Sequence, residues 1–222
     1  MFGNARILQF IAGAGYGLMQ TVTPPQLERT AERDAALRAL AGLAGEKGWT
    51  IATLREAAGA DADLLFPGGR VELIEAWADL VDRDMIERVR FAIDEGDCPR
   101  LSQRVRRAIL ERLELLQPYR NAERRASTLV LSPCSRGVSG RILGRTVNAI
   151  WLAAEDTSGG VTWATKRLSL TSIYIPTFLA WLGGADRRVV EQVLDNGLAS
   201  ARRIGELKRR VFRTQAQATQ AA

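Results

Sequence analysis

The segment EAWADLVDRDMIER places three of its five carboxylates, Glu75, Asp79 and Asp82, at steps of four and three. On a helix those steps bring the acids to one side. Carboxylates so placed can bind a cation or share a proton. The rest of the chain argues against either chemistry. Its 222 residues include no histidine, the usual base near neutral pH and the commonest metal ligand. That absence removes Ser-His-Asp and Cys-His nucleophiles, HExxH zinc sites and the Glu-x-x-His pairs of di-iron bundles. Arginines are interleaved among the acids, so the trio reads as a solvated polar face. No catalytic residue, metal ligand or cofactor is assigned. Cys98 and Cys134 form no CxxC spacing and read as buried thiols in a reducing compartment.

Three other groupings suit binding rather than catalysis. In TWATKR, Trp163 lies three residues before Lys166 and four before Arg167, so the three share a helix face. An indole beside two cations fits a partner surface, since Trp and Arg dominate interface energetics; a core tryptophan flanked by exposed cations is the alternative. The segment IYIPTFLAWL is apolar on all sides, which places it in a core or along an apolar cavity. The third is the final amphipathic stretch. Val190, Leu194, Leu198, Ala201, Ile204, Leu207 and Val211 form one side, and Arg202, Arg203, Lys208, Arg209, Arg210 and Arg213 crowd the rest. Such a helix either lies in an anionic membrane interface or packs with a solvated basic face. The net charge of +6 agrees with an anionic partner, nucleic acid or lipid.

Helical periodicity positions these groups from Pro25 onward, and no alternating strands or repeats occur. The spacing predicts helices over 26–45, from Ile51 to Ala58, from after Gly69 to about Ile93, from Leu101 to before Pro118, over 119–131, 139–154 and 161–182, and from about Asp186 to Phe212. Thr50 is the expected N-cap of the second. Pro176 is expected to kink the seventh. The first three elements have the order of a helix-turn-helix. Where a DNA-reading helix belongs, however, the chain has GADADLLFPGG. Asp61 and Asp63 repel phosphates, and Pro67 and Gly68 stop the helix. The division expected is a poorly ordered leader over 1–24, a helix-turn-helix-like unit over 25–69, a helical body over 70–184, and an amphipathic helix and polar tail over 185–222.

Three stretches, LLFPGGRVELIEAWADLVDRDMIERV, EDTSGGVTWATKRLSL and DRRVVEQVL, carry a resemblance covering roughly Ala35 to Val193. The chain resembles the ubiquinone-biosynthesis accessory lipid-binding proteins of the Coq-nine type. The resemblance implies an all-α, TetR-regulator-like helical bundle with an N-terminal helix-turn-helix-like unit and a C-terminal amphipathic helix. It implies a homodimer that is not an enzyme and has no cofactor of its own, binds isoprenoid quinone precursors or phospholipid, and presents precursors to a demethoxyubiquinone hydroxylase. By that resemblance Ile173, Tyr174, Phe178, Leu179 and Leu182 bind lipid, and Trp163, Lys166 and Arg167 bind the partner. Leu198, Arg202, Arg203, Ile204, Leu207, Lys208, Arg209, Arg210 and Val211 meet an anionic membrane. A cytoplasmic protein held peripherally at the inner membrane follows, with no specific nucleic acid partner. Ala164 stands where the family has tyrosine, and Gly159-Gly160 interrupt the approach to the motif. A TetR-like transcriptional regulator with a hydrophobic ligand pocket is the competing reading.

Overall fold

The structure is a computed structural model that describes residues 26–130 and 136–220, with side chains up to Arg203 except at 136, 160 and 161. Among the described residues every regular element is helical, so the fold is all-α as expected. The expected leader, and Cys134, lie outside the described residues. The chain forms two compact units, one ending at Asp156 and the other starting at Thr157.

In the first unit, α1 spans Ala31–Lys47 and α2 spans Ile51–Ala58. Each starts at a threonine whose hydroxyl accepts a backbone N–H, Thr30 from Arg33 at 3.2 Å and Thr50 from Thr53 at 3.0 Å. The Thr30 cap explains why α1 begins later than apolar spacing alone suggests. A 3-10 turn, Ala62–Leu65, follows in place of a third α-helix. The chain then folds into a corner. Phe66 is buried, its carbonyl accepts from Gly69 at 3.0 Å, and Gly69 has φ +66°, a region open to glycine at little cost. The buried Arg33 guanidinium covers the Phe66 ring at 4.3 Å, donates to the Leu65 carbonyl and pairs with Glu72 at 2.6 Å. The FPGG corner is thus a packing element.

Four further helices complete the unit: α3 (Gly69–Asp94), α4 (Leu101–Leu116), α5 (Arg120–Val130) and α6 (Arg136–Ala153). The α3 stripe Ile74, Trp77, Val81, Met85 and Val89 is buried throughout. Trp49, after α1, packs against Trp77 at 5.9 Å and donates from Nε1 to the Ala122 carbonyl of α5 at 2.9 Å. That bond ties the helix-turn-helix-like segment to α5.

The acid trio of α3 corrects the sequence reading. Glu75, Asp79 and Asp82 are buried, not a solvated face. Glu75 accepts from Arg141 and, at 2.8 Å, from Arg145 of α6. Asp79 accepts from Arg29 at 2.8 and 2.9 Å and from Arg83 at 3.3 Å. Asp82 accepts from Arg112 of α4 at 2.7 Å and from the Thr146 hydroxyl of α6 at 2.9 Å. Buried carboxylates persist because distant helices deliver their cations. No three acidic or cysteine side chains among the described residues form a metal-binding group. Cys98 is a buried free thiol.

The second unit pairs α7 (Gly160–Leu182) with α8 (Arg187–Gln220). Gly183 and Gly184 turn the chain between them, and Gly197 meets Ile173, where an added Cβ would lie 2.9 Å from Cγ2. A glycine there lets the two helices approach closely. α7 runs continuously through Pro176, and the Thr177 hydroxyl donates to the Ile173 carbonyl at 2.8 Å. α8 continues past the expected end near Phe212 to Gln220.

Candidate docking and lipid surface on α7

α7 contains no acidic residue, and its only charges are Lys166 and Arg167. One helical turn brings Arg167 back over Trp163, with the guanidinium carbon 3.8 Å from the ring centroid. Arg167 also donates from Nη1 to the Trp163 carbonyl at 3.3 Å. Trp163, Lys166 and Arg167 are all half-buried and lie within one turn, so the structure brings the expected partner residues together. The indole is not a core side chain. It is a partly open ring with a cation already stacked on it, a favourable arrangement by the electrostatics of the ring face.

The expected lipid residues divide between two faces. Ile173 and Tyr174 are buried, Phe178 and Leu182 are half-buried, and Leu179 is exposed. Tyr174 stacks on Phe178 with centroids 5.8 Å apart, and Phe178 packs on Trp181 at 5.6 Å. Trp181 completes this aromatic row, and sequence reasoning missed it although it lies seven residues after Tyr174. Leu179 belongs to an outer stripe with Leu168 and Ile175, all exposed, with Leu168 72% open. The intervals of seven and four between these residues were visible in the sequence.

On α8, Val190 and Leu194 are buried, Leu198 is half-buried, and Arg202 and Arg203 are exposed. The first part of the apolar stripe therefore serves packing. The side chains of Ile204, Leu207, Lys208, Arg209, Arg210 and Val211 lie outside the described residues. No helix among the described residues is long and apolar enough to cross a membrane.

The turn that replaces a reading helix is acidic and closed upon itself. Asp63 accepts from Arg55 at 2.6 and 3.0 Å, which holds its carboxyl below the usual range, and Asp61 is exposed. A four-residue 3-10 turn is too short to lie in a major groove.

The COQ9 family model matches residues 137–205, from α6 through α7 into α8. Two mitochondrial ubiquinone biosynthesis proteins of Xenopus laevis, COQ9-A and COQ9-B, are 28% and 27% identical to the chain over 179 residues. The alignments cover 75% of this chain but 56% and 61% of the relatives, so it spans less than two thirds of their length. The family match lies on the Trp163 turn and on the helix pair that follows it, and it is to the COQ9 proteins that this part of the chain is similar.

Proposed function

We propose that the chain is a non-catalytic, lipid-binding accessory protein of ubiquinone biosynthesis that presents isoprenoid quinone precursors to a hydroxylase. The observation that carries this reading is the half-open Trp163 ring with Arg167 stacked on it, inside the segment matched by the family model. A tryptophan anchor with a cation on one face is suited to bury the rest of its ring against a partner while the cations meet acidic groups at the rim. The aromatic row Tyr174, Phe178 and Trp181 supplies flat apolar surface suited to polyisoprenoid chains.

The test joins two measurements on the same variants. Trp163→Ala is expected to weaken binding to the host's demethoxyubiquinone hydroxylase by about 2 kcal/mol or more. Lys166→Glu is expected to slow association and reduce its salt dependence. Both variants should retain the lipid identified by mass spectrometry of the purified protein. Loss of lipid or of folding in Trp163→Ala, with no hydroxylase binding by the unaltered chain, refutes the docking role.

Membrane association through the end of α8 belongs to the same proposal. The described part of its apolar side packs inward, so the contact is assigned to the residues beyond Arg203. A chain ending at Arg203 is expected to lose flotation with phosphatidylglycerol vesicles and keep its cooperative unfolding. Equal flotation of both chains excludes this segment as the anchor.

A further inference from the structure

Glu123 of α5 is 9% exposed and makes no ion pair among the described residues. Its hydrogen bond comes from the Trp77 indole of α3, Nε1 to Oε1 at 2.7 Å. The guanidinium close enough to attract it, Arg112 of α4, is bonded through Nε to Asp82 at 2.7 Å. The Thr146 hydroxyl of α6 also donates to Asp82. One cation thus serves two buried acids, and Asp82 holds it. Among the described residues Arg112 is the cation that acts on Glu123. Asp79 lies beside Asp82 on α3, and Tyr119, before α5, packs edge-on against Trp77 at 5.0 Å.

We propose that the seam between α3, α4, α5 and α6 folds around a protonated Glu123, so that the first unit loses stability as pH rises above the ordinary glutamate range. A buried carboxylate without a cation of its own is far less stable than the neutral acid. Burial pushes the Glu123 carboxyl up, and the Arg112 charge and the Trp77 bond only partly oppose it. The sign follows from linkage. A raised folded value means that the folded state binds the proton more tightly than the unfolded state does. The resulting stability is full below the unfolded glutamate value of about 4.3 and is lost as pH rises toward the folded value. Burial raises Asp82 as well, in the same sense, although Arg112 and Thr146 favour its ionised form.

Glu123→Gln in the full chain isolates the glutamate contribution, because the amide is neutral and its oxygen still accepts from Trp77. Denaturant melts of both proteins are compared between about pH 3.5 and pH 8. The variant is expected to match the parent at the acid end and exceed it at the alkaline end. Within the window, the ratio of their folding constants should change by roughly tenfold per pH unit. A ratio independent of pH, a variant that weakens as pH rises, or a variant that fails to fold overturns the proposal. The carboxyl carbon resonance of Glu123 in the unaltered protein gives an independent reading. It should titrate with a midpoint above the exposed glutamate value of about 4.3, and a midpoint at or below that value refutes the proposal.

Discussion

Arg112→Met is expected to destabilise the first unit by about 3–5 kcal/mol, the cost of leaving one member of a buried ion pair alone. Asp82 and Arg112 are each 4% exposed, so water cannot replace the lost guanidinium without opening the helix packing. The Thr146 hydroxyl would remain on Asp82, but one neutral donor does not compensate a buried carboxylate. Burial would then drive Asp82 to take up a proton. The companion variant Asp82→Leu/Arg112→Met removes both charges, and replacing a buried pair by apolar groups is often neutral or stabilising. It is therefore expected to recover most of the loss. Guanidinium melts of the two variants and the parent measure both effects. A double variant no more stable than Arg112→Met would mean that the cost lies in packing rather than in the orphaned charge.

The second large effect is expected from Trp49→Ala, at about 3–5 kcal/mol. Trp49 is 1% exposed, so truncation opens a cavity the size of an indole. It also removes the contact with Trp77 and leaves the Ala122 carbonyl without its donor. Trp49→Phe keeps most of the ring burial and loses the N–H, and is expected to cost about 1–3 kcal/mol. Because this side chain ties the segment after α1 to α5, amide exchange should accelerate in α2 first. Uniform acceleration throughout the unit would instead assign Trp49 to the global core.

Much of this architecture was legible in local sequence. The α3 stripe from Ile74 to Val89 repeats with the helical period, and Thr50 precedes its helix as a capping residue should. The loss of a reading helix followed from Asp61, Asp63, Pro67 and Gly68 standing in its place. The placement of Trp163, Lys166 and Arg167 on one turn followed from spacing alone. What sequence did not disclose is how charges are matched. The cations on Glu75, Asp79 and Asp82 come chiefly from Arg141, Arg145, Arg29 and Arg112, all 30 to 70 residues away. Periodicity within one helix carries no information about such partners, so buried acids looked like a wet face. One further difference has a local cause. Glutamine and alanine after Phe212 are polar or small but are good helix formers, so α8 does not stop where its apolar stripe does.

The meeting of Gly197 with Ile173 fixes the register of the antiparallel α7–α8 hairpin. Counting outward from that crossing, the start of α7 at Gly160 stands opposite about residue 210, because both helices rise equally per residue. The last ten or so residues of α8 therefore overhang the end of α7 by roughly 15 Å. A stretch of that length is a marginal helix in water by itself, since nucleation is costly and each added residue returns little. The overhang is rooted in the hairpin, where α7 templates its winding, and runs on beyond the reach of α7. Its helicity consequently depends on the surface it reaches, and ordering of the tip becomes part of the free energy of whatever contact it makes.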